Sequence, residues 1–415
     1  MLSKYNDLLR RVESEIGSPV YLVGGAVRDA LLGRETKDID LVAVVSPEVL
    51  EGHHWVSKGL SFPVYRKDEF PGVELAVARK EKKIAEGHNG FTWTPAETIM
   101  EDLERRDFTI NAIAWREGVF IHPSGGLADL EGKIIRHVGP AFSEDPLRVF
   151  RAARFAAQLG FGINSSTIEE MRALTYGNEL SSLSMDRVRE EFLKAINSDY
   201  PDMFFYALDD AQCLTPWFQE LADLDGIPAG RIEHHPEGDT FYHSIYALQY
   251  AADKKFNELT RIMALCHDLG KALTPEDMLP KHHGHESKTE PARKMLTRLG
   301  FGDCLIRQVE GHIRHHLLPN MARLRPSTVV NYWKATRRYR GEHFDAYHAD
   351  LNGKGVKEEK QSPRVAQLKE VFTALDNTKI EPNKNVQSIH QQFQRAAATA
   401  MESQPAIVKA KNYGN

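Results

Sequence analysis

The apolar positions of this chain change their period once, near residue 139. Before that point they come in short runs: PVYLV, DIDLVAVV, VELAVA, GVFIH and KIIRHV, separated by Gly and Pro, lie between residues 18 and 138. Runs of this length, rich in β-branched residues, predict the strands of a mixed sheet in an α/β or α+β head. Ahead of them, Tyr5, Leu8, Leu9, Val12 and Ile16 recur at helical spacing, and Gly17 with Pro19 marks the end of a helix expected to brace or cover the head. Beyond residue 139 the period becomes helical, as in DPLRVFRAARFAAQLGF and SMDRVREEFLKAI, so the remainder is expected to be all-α. The last stretch, from NKNVQSIHQQFQ onward, is polar and rich in Ala and Gln, which predicts one helix and a frayed end. No internal repeat is apparent.

Composition narrows the class. A length of 415 residues with 41% hydrophobic content allows two to four domains with proper cores. No run approaches the ~18 apolar residues of a membrane span, and the charged start MLSKYNDLLRRVESEI argues against an export signal. Cys213, Cys266 and Cys304 are far apart, with no CxxC pair, which speaks against disulfides or a cysteine zinc site and fits a reducing cytoplasm. The net charge of -5 gives no global attraction for nucleic acid, so such a partner would have to be held by local basic patches. Twelve of the 18 histidines lie between His234 and His348, which marks a separate module there.

Chemistry enters with YLVGGAVRDALLGRETKDIDLVAV, residues 21 to 44. A strand, a Gly24-Gly25 turn and a helix start beside Arg28 form an arrangement that attracts anions. Asp38 and Asp40, two apart on a strand, share a face about 7 Å from each other, a spacing suited to joint ligation of Mg²⁺. Two such cations activate a hydroxyl and stabilise a leaving phosphate oxygen, so phosphoryl or nucleotidyl transfer is the candidate reaction. A dinucleotide-binding turn is the rival, but GxGxxG is absent; two aspartates at a solvated strand edge would give the same letters. Glu74, in GVELAVARKE, is the candidate for a third acid from a neighbouring strand.

Four ordered motifs, GGAVRDALLGRETKDIDL, RRDFTINAIA, EDPLRVFRAARF and SMDRVREE, together resemble the class II tRNA nucleotidyltransferases, the bacterial-type CCA-adding enzymes, over residues 18 to 355. The resemblance implies an α+β polymerase-β-like nucleotidyltransferase head with mixed sheet, followed by all-α neck, body and HD or tail regions. The expected divisions are 1–138 for the head with its N-terminal helix, 139–200 for the neck, 201–235 for the body, 236–355 for an HD phosphohydrolase domain and 356–415 for a polar helical tail. It further implies that Asp38 and Asp40 hold Mg²⁺, that Gly24, Gly25 and Arg28 contact the triphosphate, and that Arg106 and Asp107 contact ribose and phosphates. Arg187 and Glu191 would brace the neck turn, where Asp186 stands for the usual Glu. His122 replaces the usual Asp in HPSGGLADL, a segment held to couple head and neck. The implied partners are tRNA, CTP and ATP, with no membrane, and a homodimer through the HD domain is compatible with the family.

Selection of C and A without a template would fall to Asp145 and Arg148, three residues apart and so expected on one face of a helix. Cytosine and adenine each offer an amine donor beside an unprotonated ring nitrogen, which an Asp acceptor and an Arg donor complement; guanine and uracil offer the reverse. A surface salt bridge would explain the same pair. Arg151 and Arg154 extend the basic face toward phosphates.

In the histidine-rich module, His267 and Asp268 stand side by side in ALCHDLGKALTP, with His243 on an earlier amphipathic helix. Imidazoles with a carboxylate make a divalent-metal site whose bound water becomes a nucleophile. With Asp350, the order H…HD…D resembles the HD phosphohydrolases, and HPEGD, CHDLGK and HHGHE also occur in one branch of the CCA enzymes. There the module implies phosphatase and 2′,3′-cyclic phosphodiesterase activity with a transition metal, Ni²⁺, Mn²⁺ or Co²⁺. Lys271 is expected near the substrate phosphate, and His285, His312 and His315 are candidates for a second metal or phosphate contacts. His316 is read as a helix-ending histidine on a polar face. The alternatives are an A-adding, CC-adding or poly(A) enzyme, or a protein acting mainly as an HD phosphohydrolase.

Overall fold

The computed structural model describes residues 2–36, 39–58, 63–83, 91–123, 125–321, 324–355, 359–379 and 386–403. These residues form two compact units, the first comprising 1–195 with 203–216 and the second 196–202 with 217–415.

Among the described residues the head of the first unit, up to residue 121, has nine strands: β1 (Val20–Val23), β2 (Ile39–Ala43), β3 (Val56–Lys58), β4 (Val64–Arg66), β5 (Val73–Val77), β6 (Arg79–Lys83), β7 (Phe91–Pro95), β8 (Ala114–Arg116) and β9 (Val119–Ile121). Seven of them make one sheet in the order β3-β4-β5-β2-β1-β8-β9, while β6 and β7 form a separate hairpin. β2 and β5 run parallel and the other pairs of the large sheet antiparallel, so the sheet is mixed, as expected. Alternation sorts its side chains. Leu41 and Ala43 join Leu75, Val77 and the buried Leu9, Val12 and Ile16 of the Asn6–Ile16 helix in one core, while Val42 and Val23 pack on the other side with Ile99, Leu103 and Ala112. Gly17 ends that first helix in the left-handed region, φ 68°, with its N–H donated to the Glu13 carbonyl. The helix is therefore a brace against the sheet.

Beyond the head the chain is helical apart from a two-residue parallel pairing of Ile134–Ile135 with Gly162–Ile163. The Leu147–Leu159 helix is almost wholly buried through Val149, Phe150, Ala152, Ala153 and Ala156. In the second unit, the Thr240–Asp253, Glu258–Cys266 and Arg340–Asn352 helices pack mutually through Ala247, Ala251, Ala264 and Ala349. Small residues at the contact let these helices approach closely and bring their polar side chains together. The Pro363–Asp376 and Val386–Glu402 helices close a second core with the Pro326–Thr336 helix, around Tyr332, Phe344, Phe372 and Phe393. No helix among the described residues is long and apolar enough to cross a membrane.

Candidate functional sites

A cavity of about 780 Å³ opens in the first unit at the ends of β1, β2 and β5, lined by Gly24, Gly25, Arg28, Asp40, Glu74, Arg106, Asp107, Asp145, Arg148, Arg151, Arg154 and Arg187, among others. Asp40 sits on β2 in parallel register with Glu74 on β5, so two carboxylate residues stand side by side on adjacent strands. Arg66 engages the Glu74 carboxylate. Asp38 lies outside the described residues, so the expected Asp38–Asp40 pair has one described member. The donor set present, a strand-borne carboxylate with a second acid across the ladder, suits a hard cation such as Mg²⁺.

The glycine turn is fixed by packing. Gly24 has φ 63° and ψ -128°, its N–H is donated to the Ile113 carbonyl, and a Cβ there would fall 2.9 Å from Arg106 Nη1. Only glycine adopts this conformation while leaving room for the guanidinium. Arg106 is held in turn by the buried Asp102, 2.9 Å from Nη2. Arg28 Nη1 donates to Asn111 Oδ1 at 2.6 Å, and Asn111 Nδ2 donates to Asp107 Oδ1 at 3.1 Å. Arg151 Nε donates to Asp107 Oδ2 at 2.8 Å. Burial alone would raise the Asp107 pKa, but the charges of Arg151 and Arg148 hold it well below the usual carboxylate range. The ring of Phe155 is flanked by the guanidiniums of Arg154, Arg28 and Arg151, at 3.8, 5.1 and 5.7 Å from its centroid. The result is a cationic wall with fixed orientation, matched to a polyphosphate.

Asp145 does not lie on the helix with Arg148, contrary to the sequence reading. The helix begins at Leu147, and Asp145 is extended, φ -123° and ψ 102°, because Pro146 disfavours helical geometry in the residue before it. Both side chains still line the cavity, each held by other groups. Asp145 Oδ1 accepts the Leu147 N–H at 3.1 Å and Oδ2 accepts from Arg187 at 2.7 Å. Arg148 donates to the carbonyls of Ala141 and Arg105, at 2.7 and 3.0 Å. Glu191 engages Arg154. Arg187 and Glu191 thus reach from the Met185–Ile196 helix to both ends of this recognition segment. Near the position of the family's Asp, His122 carries a buried, unpartnered Nδ1, while Asp129 accepts from Thr109 Oγ1 at 2.7 Å and from Arg136.

In the second unit a cavity of about 380 Å³ is lined by Asp268, Lys271, His285, His316, Asp350 and Lys354, among others. His243 Nε2 and His267 Nε2 face each other at 3.2 Å, with Asp350 Oδ1 3.1 Å from the first and Asp268 Oδ2 3.1 Å from the second. On the other side of Asp268, its Oδ1 lies 3.2 Å from His285 Nε2 and 3.8 Å from His316 Nε2, and those two nitrogens are 3.3 Å apart. The tautomers follow from the anchors. The Nδ1 atoms of His267, His285 and His316 lie 2.8, 2.7 and 2.7 Å from the carbonyls of Ala264, His282 and Ile313. A carbonyl only accepts, so each Nδ1 carries a hydrogen, and a ring that is neutral turns a lone pair at Nε2 toward Asp268. Facing lone pairs at such distances require a proton or a cation between them. Burial opposes charge on His243, but the carboxylates of Asp350 and Glu237 raise it to about 9, whereas burial pushes His316 down to about 4. Two imidazole groups around one carboxylate fit divalent metal ions.

Lys271 Nζ is bound to Asp268 Oδ2 and the Ala229 carbonyl, both at 2.7 Å, so it neutralises the central carboxylate from within the cavity wall. Two candidates are placed differently from expectation. His315 bonds the Gly311 carbonyl and stacks on Tyr332 at 5.5 Å, and His312 pairs through Nδ1 with His343 Nδ1 at 2.9 Å. His316 takes the place in the cluster: it caps the helix that ends at His315, still in right-handed helical geometry at φ -62° and ψ -27°, and its side chain lines the cavity. Glu237, to which the sequence reading gave no role, touches His243 Nδ1 at 2.7 Å.

Three family models match in succession: the poly A polymerase head domain over residues 20–136, the probable RNA and SrmB-binding site of polymerase A over 160–224, and the HD domain over 235–370. A multifunctional CCA protein of Haemophilus influenzae (strain PittGG) is 38% identical over 383 residues, covering 87% of this chain and 91% of the relative. One from Mannheimia succiniciproducens is 37% identical over 412 residues, with 94% and 98% covered. Among solved structures, a CCA-adding enzyme in its apo form II superposes with a TM-score of 0.63 at 18% identity over 95% of this chain and 92% of that one. The Bacillus stearothermophilus CCA-adding enzyme in complex with CTP gives 0.61 at 20% identity, with 97% of each chain covered.

Proposed function

The chain belongs to the multifunctional CCA proteins, and we infer that it rebuilds the 3′-terminal CCA of tRNA from CTP and ATP without a nucleic-acid template and hydrolyses phosphate esters at a separate HD centre. The observation that carries this reading is one cavity in which Asp40, a glycine turn and a wall of guanidiniums converge beside Asp145 and Arg148. In each addition the tRNA 3′-hydroxyl attacks the α-phosphorus of the nucleotide, a phosphodiester forms and pyrophosphate leaves. Mg²⁺, which Asp40 with Asp38 would hold, lowers the pKa of the hydroxyl and offsets the charge on the departing oxygens when bound. Arg28 and the Gly24-Gly25 turn receive the triphosphate, and Arg106 and Asp107 the ribose and phosphates.

Asp145 and Arg148 read the base. Arg148 has five N–H groups, of which two point to carbonyls, so others remain for an unprotonated ring nitrogen. Each Asp145 oxygen retains a lone pair beyond its existing bond for the exocyclic amine. Because Arg187 and the helix start fix Asp145, and the carbonyls of Ala141 and Arg105 fix Arg148, the protein presents a preorganised hydrogen-bonding edge in place of a template base.

At the second centre His243, His267, Asp268 and Asp350 would hold a transition metal, Ni²⁺, Mn²⁺ or Co²⁺, which supplies a nucleophilic hydroxide when bound. His285 and His316 give Asp268 Oδ1 the donors for a second ion. Phosphate monoesters and 2′,3′-cyclic phosphates at RNA ends are the substrates, with Lys354 and Lys281 on the cavity wall to receive their charge. A tRNA-repairing enzyme of this kind works in the cytoplasm.

Purified protein is to be incubated with tRNA transcripts ending before CCA, after C and after CC, with each nucleoside triphosphate in turn. The expected outcome is two additions from CTP and then one from ATP, lost in Asp40→Ala. Addition of C alone, A alone, or a long A tail would overturn the full CCA assignment.

A further inference from the structure

His243 differs from the other imidazoles of the cluster in what holds its far nitrogen. His267, His285 and His316 rest on backbone carbonyls, whereas His243 Nδ1 rests on the Glu237 carboxylate at 2.7 Å. The same oxygen, Glu237 Oε1, is 2.9 Å from His235 Nδ1, and the rings of His235 and His243 stand edge to face with centroids 5.1 Å apart. Glu237 Oε2 and His243 Nδ1 are both buried without a hydrogen-bond partner. His235, Glu237 and His243 place three potential ligand atoms close together, which on distance alone would suit a cation. The separations of 2.7 and 2.9 Å leave no room for an ion between the atoms. The trio is therefore a carboxylate-centred support: His235 Nδ1 donates to Glu237 Oε1, and His243 Nδ1 is held in close contact with the same oxygen without an aligned hydrogen bond.

We propose that Glu237 is a positioning residue of the HD centre, fixing His243 with its Nε2 lone pair toward His267 and Asp350 while holding His235 against the cavity. This rests on the reading of that centre as a metal site. A carboxylate behind a ligating histidine sets its tautomer and orientation and increases its basicity, and removing such a partner costs about 10- to 100-fold in metal affinity. A carbonyl anchor supplies orientation with less charge, so His243 is the imidazole made most electron-rich. The chain enters the Thr240–Asp253 helix through Asp239, whose carboxylate accepts the Phe241 N–H at 2.7 Å, so the loop bearing Glu237 is pinned two residues later. That capping explains how a loop residue keeps a fixed place behind a helical one.

The test uses the full chain as wild type, Glu237→Gln and Glu237→Ala, with Co²⁺ and Ni²⁺ affinities from chelator competition and far-UV circular dichroism as the check on folding. Glu237→Ala is expected to bind about 10- to 100-fold more weakly, and Glu237→Gln, which keeps a neutral acceptor, by an intermediate factor. CCA addition by the same samples should be unchanged. If the alanine variant fails to fold, the near-isosteric glutamine variant decides the matter by its affinity alone. Equal affinity in wild type and the folded variants overturns the role of Glu237 but leaves the metal centre standing. A wild-type chain that binds neither ion overturns the metal reading and this proposal together.

Discussion

Arg148 commits two of its N–H groups to the carbonyls of Ala141 and Arg105, and those anchors hold its guanidinium at the cavity wall. A side chain held this way is suited to the proposed base reading, since losing it would remove a donor from the cavity without breaking an Asp145–Arg148 ion pair. Arg148→Ala is expected to relax selectivity between CTP and UTP about 5- to 150-fold, given ~1–3 kcal/mol for a good bidentate base contact. The measurement is kcat/KM for each nucleotide on tRNA lacking CCA; an unchanged ratio in a folded variant would place selection elsewhere. At this scale the sequence was informative wherever a residue type and its spacing carried chemistry. Asp40 and the HD pair can be picked out in this way, whereas Arg106 and Asp107 come only through the family resemblance. His316, weighed beside His312 and His315, reads as a helix-ending histidine, and Glu237 is given no role. His316 sits at the C-cap of one helix and Glu237 in the loop that enters another, and a position at the end of an element or in a loop is decided by tertiary packing.

Elements show the same division between periodic and local causes. The strands β1, β2 and β5 were legible as β-branched runs, and the N-terminal brace as a helical stripe, but β3, β4, β8 and the β6–β7 hairpin are short or charged and gave no alternation to read. The helix of the recognition segment was legible too, while its start was set two residues late by Pro146, which moved Asp145 off it. A helix face the sequence did not resolve is that of Arg340–Asn352, which buries His343 against His312 and Tyr332. Burial, with the nearby charges of His315 and His316, lowers His343 to about 3. An unfolded histidine titrates near ~6.5, so the unfolded chain takes up a proton that the folded one refuses. Stability is thus full above ~6.5 and declines as pH falls through the window toward 3, at up to ~1.4 kcal/mol per pH unit from this group. His343→Gln keeps a donor and an acceptor for its neighbours but cannot titrate. Its melting temperature should fall less between pH 7 and pH 5 than that of wild type, by calorimetry of the full chain; parallel declines would remove His343 from the acid sensitivity.

For the molecule as a whole, the division into two compact units separates two chemistries with opposite needs. Polyphosphate binding in the first unit calls for guanidiniums that stay charged when partly buried, and Asp102, Asp107 and Glu191 supply their counter-charges. The second unit concentrates imidazoles whose use depends on being neutral at Nε2, and it surrounds them with carbonyls and three carboxylates. Each arrangement would harm the other: guanidiniums at the imidazole cluster would compete with a metal for Asp268 and Asp350, and a strongly held transition metal in the first cavity would bind triphosphate too firmly to release pyrophosphate. Each unit also has its own apolar core, the sheet with its bracing helix in one and the aromatic cluster around Tyr332 in the other. Damage to either centre should therefore stay local. The His267→Ala/Asp268→Ala double variant is expected to lose hydrolysis of 2′,3′-cyclic AMP, tested with Ni²⁺, Mn²⁺, Co²⁺ and Mg²⁺, while adding CCA at the wild-type rate. Asp40→Ala should do the converse. Loss of both activities in either folded variant would mean that the two centres depend on each other, and the separation argued from charge and packing would fail.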